Sequence, residues 1–254
     1  MSPHSILLLF AAGLAGGLID SVIGGGGLIT LPAVMLHLGV RPVSIGTNKI
    51  GAFFCTLAAV SVYSRRMRWR TAFSFAAWVA LGSVLGASVS PRWLSPAYPF
   101  LLGIGAFLCL AAVLFRNRLL SEREPSPASR LRDKGAVSPL AAGLGFLSGF
   151  YDGAWGPGGG TFMFLSLLYA TPLGLMGSIA AAKIANLASS SFSLAAYAIQ
   201  GYAEVKTGLV LGAGLLIGAF AGAKLALKHA ERILVPLLVV ISILLLVKLW
   251  SGLS

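Results

Sequence analysis

The sequence predicts an all-α polytopic membrane protein, and three observations carry that prediction. The 254-residue chain is 57% hydrophobic and only 10% charged. Its apolar runs are long, and about 20 apolar residues suffice to cross a bilayer as a helix. The runs show no sustained alternation of apolar and polar residues, so helices are favoured over a closed barrel. Five runs contain no charged residue: 71–91, 93–115, 153–182, 184–203 and 233–247.

The net charge of +12 does not indicate a nucleic-acid partner, because the basic residues cluster at the ends of apolar runs. One cluster lies within 65–70 and another within 116–134. This placement is typical of the cytoplasmic loops of membrane proteins. We therefore expect a multi-pass protein of the cell (inner) membrane, surrounded by lipid and without a nucleic-acid partner. Cys55 and Cys109 lie inside apolar runs, so no disulfide framework is expected.

The chain contains two copies of one unit. The stretch "GLAGGLIDSVIGGGG" recurs 132 positions later inside "GLGFLSGFYDGAWGPGGG", so Asp20 corresponds to Asp152. After two inserted residues "TNKIGAF" meets "AAKIANL", and Lys49 corresponds to Lys183. A polar, charged segment with proline and serine joins the copies. We predict a first transmembrane repeat over 1–120, a cytoplasmic linker over 121–136 and a second transmembrane repeat over 137–254.

Each copy is predicted to contain the same elements in the same order. An apolar helix ends at a run of glycines, a short apolar segment of about 11 residues follows, and a longer span carries the lysine. Two plain spans close the unit, which gives about 8–10 transmembrane segments in all. The predicted pairs are 5–22 and 138–154, 28–38 and 161–171, 43–63 and 175–199, 71–90 and 207–223, and 97–115 and 233–250.

The charges of the predicted loops favour inverted copies. In the first copy the arginines lie in 64–70, whereas 91–96 carries only Arg92. In the second copy 200–206 is neutral and the basic residues lie in 224–232. If basic residues mark the cytoplasm, the copies point in opposite directions. Inversion requires that the short segment crosses the membrane. If it is only re-entrant, the copies are parallel with four crossings each.

Two aspartates and two lysines lie within apolar segments, namely Asp20, Asp152, Lys49 and Lys183. Each such charge costs roughly 2.5–3.5 kcal/mol at a helix centre, so each needs a partner charge, a helix end or a water-filled cavity. Two structural interpretations are open: aspartate–lysine pairs that hold the copies together, and aspartates that cap the glycine breaks. The functional interpretation is a charged substrate site, with the aspartates in proton coupling or in structural pairing.

The glycine runs are expected to interrupt a helix in each copy and to bind an anion. A glycine costs about 1 kcal/mol and a proline about 3 kcal/mol relative to alanine within a helix. Unwinding leaves free N–H groups at the start of the next half-helix, which bind anions. Close helix packing explains Gly13, Gly17, Gly82 and Gly86, but does not need four glycines in a row. The residues concerned are Gly24, Gly25, Gly26 and Gly27 in the first copy, and Gly156, Gly158, Gly159, Gly160 and Thr161, with Pro157, in the second.

Several other classes of function are not supported by the sequence. Neither glycine run matches a nucleotide-binding motif, and no spacing of His, Cys and carboxylates suggests a metal site. A membrane hydrolase would need a Ser–His pair, paired aspartates or an H-E-x-x-H motif, and none is visible. We therefore expect neither an enzyme nor a cofactor.

The stretches "GGLIDSVIGGGGLITLPAVML…GTNKI" and "GFYDGAWGPGGG" resemble the sulfite exporter TauE/SafE family, also called the 4-toluene sulfonate uptake permeases, over essentially the full length. The resemblance implies a membrane carrier of sulfite, sulfonates, sulfoacetate or related anions. Thr47 and Asn48 match the family pattern. In the second copy alanines stand at those positions, and Asn186 and Ser190 are expected to supply polar contacts instead.

We therefore expect a secondary transporter of small organosulfur or related organic anions, bound at the midplane between the repeats. The half-helix amino ends would hold the oxyanion, and Lys49 and Lys183 would supply charge. Thr47, Asn48, Asn186 and Ser190 would supply hydrogen bonds. The alternatives are an anion channel and a non-transporting membrane subunit of a larger assembly. The sequence leaves open the anion, its direction, the coupling ion and whether the chain forms a homo-oligomer.

Overall fold

The structure, a computed structural model, describes the backbone of residues 1–114, 135 and 137–251. The predicted linker, 121–136, lies outside the described residues except for Gly135. The described residues contain helices and no strand, so the all-α prediction is confirmed for them. The helices are α1 (Pro3–Ile23), α2 (Gly27–Leu38), α3 (Pro42–Tyr63), α4 (Trp69–Leu114), α5 (Pro139–Ala154), α6 (Gly159–Ala170), α7 (Gly174–Ile199) and α8 (Val205–Ser251).

Four helical stretches within the described residues are long and apolar enough to cross a membrane. They are Pro3–Val22, Pro42–Arg66, Trp69–Pro91 and Val205–His229. Two shorter apolar helices, Gly27–Leu38 and Gly159–Ala170, coincide with the short segments that the sequence predicts. At 12 residues and about 1.5 Å per residue, each is about 18 Å long, which is less than the hydrocarbon thickness. The chain is therefore a membrane protein that contains both full-length and half-length helices.

The helices α1 and α5 begin with the same local signal. Ser2 precedes α1 and its Oγ accepts a hydrogen bond from the Ser5 N–H at 3.2 Å. Ser138 precedes α5 and accepts from the Ala141 N–H at 3.2 Å. A serine N-cap followed by proline is a strong helix start, because proline needs no hydrogen bond at the first helical position.

The prediction of two separate closing spans in each copy is wrong for the first copy. The helix α4 runs without a turn through 91–96, where a loop was expected. This segment contains two prolines but no glycine, and a proline can bend a helix without reversing the chain. In the second copy the break falls within α8 at His229, whose φ of −139° and ψ of 27° are not helical. The argument for inverted copies compared the charges of 64–70 with those of 91–96 as two loops. Since 91–96 is helical, this part of the argument no longer applies.

The last helix of each half packs on the helices of the other half. The helix α8 lies along α1 and α3, whereas α4 lies along α5 and α7. We call α1–α3 with α8 the α8 group, and α4–α7 the α4 group. The helices α3 and α7, which carry the two buried lysines, pack on each other where the groups meet.

Glycines bring the helices of each group into backbone contact. A Cβ on Gly13 or Gly17 of α1 would lie 2.4 Å from a carbonyl oxygen of α8. A Cβ on Gly82 or Gly86 of α4 would lie 2.1 Å from a carbonyl oxygen of α5. Such separations exclude any larger residue without a shift of the backbone, so the packing role predicted for these glycines is confirmed.

Candidate functional site

The two glycine breaks contact each other. A Cβ on Gly24 would lie 2.4 Å from the carbonyl carbon of Gly160, and one on Gly27 would lie 3.2 Å from the Cα of Pro157. The helices α2 and α6 begin immediately after these breaks, so their amino ends converge. Converging helix amino ends combine unpaired N–H groups with partial positive charge.

The interruptions lie where the sequence predicts them, and their conformation requires glycine. Gly24 and Gly25 have φ values of 86° and 100°, and Gly156 and Gly158 have values of 93° and 82°. This left-handed region is accessible to glycine at little cost and is rarely adopted by other residues. Four such residues within two short segments turn the chain sharply between a long helix and a half-length one.

One ion pair is closely bonded, and we call its residues the Asp152 cluster: Asp152, Lys49 and Ser189. The Lys49 Nζ donates a hydrogen bond to the Asp152 Oδ2 at 2.8 Å and another to the Asp152 carbonyl oxygen. The Ser189 Oγ donates to the same Oδ2 at 2.5 Å. Only 6% of the Asp152 side chain is exposed. The carboxylate is therefore held by a charge and by a hydroxyl.

The other ion pair is looser, and we call its residues the Asp20 cluster: Asp20, Lys183 and Cys55. The Lys183 Nζ lies 3.9 Å from the Asp20 Oδ2 and donates to the Asp20 carbonyl oxygen. The Cys55 Sγ lies 3.5 Å from the same Oδ2, and the Gly26 N–H donates to Oδ1 at 3.1 Å. The Asp20 side chain is 14% exposed.

Both pairs join the two halves of the chain, since each lysine contacts the aspartate of the other copy. Asp20 also caps the break through Gly26. Both structural arrangements considered from the sequence, pairing and capping, are therefore present. A buried ion pair contributes little net stability. Removal of one partner costs about 3–5 kcal/mol, because the other charge is left uncompensated.

A cavity of about 30 Å³ lies between the clusters and the glycine breaks. Since a water molecule needs roughly 10–15 Å³ of such space, the cavity has room for about two waters or a small compact ion. Asn48, which is 5% exposed, has an Oδ1 atom without a hydrogen-bond partner among the described residues. The lining comprises Asp20, Gly26, Gly27, Thr30, Asn48, Lys49, Ala52, Cys55, Asp152, Gly156, Gly160, Asn186 and Leu215.

The predicted site residues divide into those that line this cavity and those that do not. Nine line it: Asp20, Gly26, Gly27, Asn48, Lys49, Asp152, Gly156, Gly160 and Asn186. Lys183 does not line the cavity but contacts Asp20, which does. Gly24, Gly25, Gly158, Gly159 and Thr161 belong to the breaks and the start of α6 without lining the cavity. The Thr161 Oγ1 is buried and has no partner among the described residues.

Thr47 and Ser190 lie outside the cavity and make other contacts. The Thr47 Oγ1 accepts a hydrogen bond from the Glu204 N–H at 2.9 Å, next to the start of α8. The Ser190 Oγ donates to the Asn186 carbonyl at 2.7 Å and lies 3.4 Å from the Thr56 Oγ1 across the contact of α3 and α7. The Thr47 hydroxyl therefore joins α3 to the segment between α7 and α8, and the Ser190 hydroxyl joins α7 to α3; neither residue lines the cavity.

Two polar lining residues, Thr30 and Cys55, do not appear among the predicted site residues. Cys55 had a detectable signal, because it lies 134 positions before Ser189, the spacing that relates Lys49 to Lys183. Thr30 is a short polar residue in an apolar helix, with no such counterpart to mark it. Its Oγ1 donates to the Gly26 carbonyl at 3.3 Å. Within the described part of the chain, no group of three or more His, Cys, Asp or Glu side chains could hold a metal ion.

A buried charged cavity between glycine-broken helices, in a protein with membrane-crossing helices, is typical of membrane transporters. The family model of the sulfite exporter TauE/SafE matches residues 9–249, so the chain belongs to that family. The family resemblance is thereby confirmed.

Relatives cover nearly the full length of the chain. A probable membrane transporter protein, ORF9, from Sinorhizobium sp is 34% identical, with 97% of this chain and 92% of the relative covered. A probable membrane transporter protein from Haemophilus influenzae is also 34% identical, with 96% and 94% covered. The probable membrane transporter protein YfcA of Escherichia coli K12 is 29% identical, with 98% and 91% covered. These names agree with a transporter rather than an enzyme. No solved structure matches the chain.

Proposed function

We propose that the chain is a secondary transporter that moves small organosulfur or related organic anions across the cytoplasmic membrane. The observation that carries the proposal is the cavity at the meeting of the two glycine breaks. Charged side chains are costly inside a membrane protein and mark substrate or ion pathways. Here the charges, the helix amino ends and a partnerless amide all surround one small space.

The groups around the cavity suit an oxyanion with several acceptor oxygens. Asn48 and Asn186 line it from α3 and α7, and each carboxamide can turn its N–H₂ group towards an acceptor. Gly160 brings a backbone N–H group to the same space, and the absence of a Cβ lets a ligand approach it closely; the Gly26 N–H already donates to the Asp20 Oδ1. The lysine charges lie beside it. The backbone N–H group and the lysines favour an anion, and the carboxamides can donate hydrogen bonds to it.

The size of the cavity favours a compact anion. At about 30 Å³ it has room for only a few non-hydrogen atoms, whereas an aromatic sulfonate would require the helix groups to separate. We propose sulfite and the short sulfonates as preferred substrates.

The two helix groups supply the bodies for alternating access. We propose that the α8 group and the α4 group rock against each other around the cavity, on the pattern of transporters with inverted repeats. The helix–helix contacts of Gly13, Gly17, Gly82 and Gly86 lie within each group, which supports this division, whereas the glycine breaks meet across the groups at Gly24 and Gly160. An inverted arrangement of the two copies, with the half-length helices completing the crossing, belongs to the same proposal.

A thermal-shift panel on the purified protein in detergent tests the anion site. The ligands are sulfite, sulfate, thiosulfate, methanesulfonate, an aromatic sulfonate and matched carboxylates. A ligand at about 100 times its Kd stabilises the protein by about 2.7 kcal/mol, which gives a clear shift of the melting temperature. We expect the shift from a small sulfur oxyanion and not from the aromatic sulfonate.

Variants test whether the anion-dependent shift depends on residues that line the cavity. Asn48→Ala and Asn186→Ala remove amides that line the cavity, and the anion-dependent shift should shrink or disappear. Ser191→Ala is the matched control, because Ser191 lies on α7 but donates only to the Leu187 carbonyl and does not line the cavity. If no anion stabilises the protein, or if all three variants respond like the wild type, the cavity is not an anion site.

Two other functions are distinguished by transport assays. An anion channel would carry currents far above carrier rates and would show no exchange of labelled substrate. A non-transporting subunit of a larger assembly would bind no anion alone, and replacement of Lys49 and Lys183 by glutamine would leave its role intact.

A further inference from the structure

The charges around the cavity cancel one another. Asp20 and Asp152 carry two negative charges, and Lys49 and Lys183 carry two positive charges. A monovalent anion that enters this space therefore leaves one negative charge uncompensated, unless a cation or a proton enters with it. A buried uncompensated charge is strongly unfavourable, so neutral entry is favoured.

We propose that Asp20 takes up one proton with each monovalent anion that enters the cavity, while Asp152 stays ionised. This inference rests on the proposed function and extends it to the coupling ion. Proton uptake converts the Asp20 carboxylate to a carboxylic acid and removes one negative charge from the cavity wall. Lys183 stays protonated, and its charge then balances that of the anion. The new O–H group can also donate a hydrogen bond to the anion.

The hydrogen bonds of the two clusters identify Asp20 as the carboxylate that changes. The Asp152 Oδ2 accepts from the Lys49 ammonium at 2.8 Å and from the Ser189 hydroxyl at 2.5 Å, and both bonds favour the ionised form. At Asp20 the Lys183 ammonium is 3.9 Å away, beyond hydrogen-bond distance. The donors to the Asp20 carboxylate are the Cys55 thiol, weak and 3.5 Å from Oδ2, and the neutral Gly26 N–H, 3.1 Å from Oδ1, so this carboxylate has no hydrogen bond from a charged group.

The exposure of the side chains points the same way. Both aspartates line the cavity, but the Asp20 side chain is 14% exposed, whereas the Asp152 side chain is 6% exposed and has the shorter contacts. A proton must reach its site from water. It has the more direct route to the aspartate that is more open and less bonded.

Other titratable groups near Asp20 are few among the residues that line the cavity. Cys55 and Lys49 face it from α3, Asp152 from α5, and Lys183 lies beside it on α7. The helices α2, α6 and α8 and the glycine breaks contribute only residues that do not titrate, namely Gly27, Thr30, Gly160, Leu215, Gly26 and Gly156. Since Lys49 and Asp152 are hydrogen-bonded to each other, Asp20 is the remaining carboxylate without a hydrogen-bonded cation.

The test is calorimetric titration of the full-length protein in detergent with methanesulfonate, which stays a monoanion over the pH range used. Titration in two buffers of different ionisation enthalpy gives the number of protons taken up per anion. We expect about one proton per anion, and an affinity that falls about tenfold for each pH unit where free Asp20 is ionised.

Three variants locate the proton. In Asp20→Asn the anion should bind with no proton uptake and with an affinity that does not depend on pH. Glu204→Gln, the same carboxylate-to-amide change just before α8 and outside the cavity lining, should keep the dependence of the wild type. Cys55→Ser should move the dependence to lower pH, because a hydroxyl donates a stronger bond to the ionised carboxylate.

The outcomes separate the coupling from the anion site. Binding of methanesulfonate without proton uptake, or with a requirement for sodium instead, overturns the assignment to Asp20 and leaves the anion site standing. Proton uptake that persists in Asp20→Asn but vanishes in Asp152→Asn also overturns it. If Asp20→Asn does not fold, an unchanged pH dependence in Cys55→Ser counts against the proposal. Absence of methanesulfonate binding at every pH overturns the anion site and the coupling together.

Discussion

The Asp152 cluster and the Asp20 cluster surround an aspartate with similar groups, but the bonds in the first are shorter. The lysine–carboxylate distance is 2.8 Å in one and 3.9 Å in the other. The third member is a serine in one and a cysteine in the other, at positions 134 apart in the sequence. A hydroxyl holds a carboxylate more firmly than a thiol does. The difference suggests that one cluster fixes the two halves together while the other remains free to change its protonation.

The largest expected effect separates the two lysines. Lys49→Gln leaves the Asp152 carboxylate buried without its hydrogen-bonded cation, which should lower the free energy of unfolding by about 3–5 kcal/mol. Lys183→Gln should cost less, because the Asp20 carboxylate is more exposed and more distant from its lysine. Thermal and denaturant unfolding in detergent measure both variants. Equal losses, or a larger loss in Lys183→Gln, would contradict the difference between the clusters.

A second comparison concerns the two glycine breaks. Gly24→Ala adds a Cβ at a φ of 86° and 2.4 Å from the Gly160 backbone, which cannot move aside easily, so we expect a loss of about 3 kcal/mol or more. Gly158→Ala has a similar φ of 82° but nothing within 4 Å of the new Cβ, and it should cost only about 1 kcal/mol. Melting temperatures of the two variants measure the difference. Similar losses would show that the cost of both substitutions comes from backbone strain at positive φ, and not from the contact between the breaks.

The third members of the clusters allow a finer test. Ser189→Ala removes a hydroxyl that donates to a buried carboxylate, and a loss of about 1.5–3 kcal/mol is expected. Cys55→Ala removes a long, weak contact and should cost under about 1 kcal/mol from the lost hydrogen bond. Free energies of unfolding of the two variants, measured at neutral pH, test whether Ser189→Ala costs more than Cys55→Ala. A larger loss in Cys55→Ala would reverse the assignment of the firm and the loose cluster.

Glu204 provides a carboxylate outside the membrane-crossing helices for comparison. Partial burial raises its pKa, but hydrogen bonds from the Thr207 and Lys206 N–H groups outweigh that effect and hold the pKa below 4.5. Its folded-state pKa is lowered, so its contribution to stability is present above about pH 4.5 and is lost as the pH falls through the lowered value. The effect should be small, since the side chain is only partly buried and solvent screens its charge. A melting-temperature series on wild type and Glu204→Gln, which does not titrate, checks it. Parallel pH profiles would exclude this contribution.

Much of the fold follows from the sequence because its causes are local. Apolar runs predict the long helices, and consecutive glycines predict the interruptions before α2 and α6. Local signals fail at 91–96, where prolines and a basic residue resemble a loop but the helix continues. A proline weakens a helix without determining whether the chain turns, so packing on other helices decides the outcome.

The site is less predictable, because its contacts join residues from both copies. The four buried charges were visible in the sequence as costly residues that need partners. Their pairing across the copies depends on how the α4 and α8 groups interlock, which no local pattern specifies. Thr47 shows the same limit, because its place in the sequence beside Lys49 does not reveal that its hydroxyl contacts the Glu204 N–H.

The most direct test of the central claim, a small sulfur anion carried through the cavity between the breaks, is a counterflow assay with labelled sulfite. Proteoliposomes preloaded with unlabelled sulfite are diluted into a trace of labelled sulfite, with the membrane potential clamped at zero. We expect a transient accumulation of label above its equilibrium level in the wild type and in Ser191→Ala, and its loss in the Asn48→Ala and Asn186→Ala double variant. If folded wild-type protein shows no accumulation, or if the double variant matches it, this cavity does not carry sulfite.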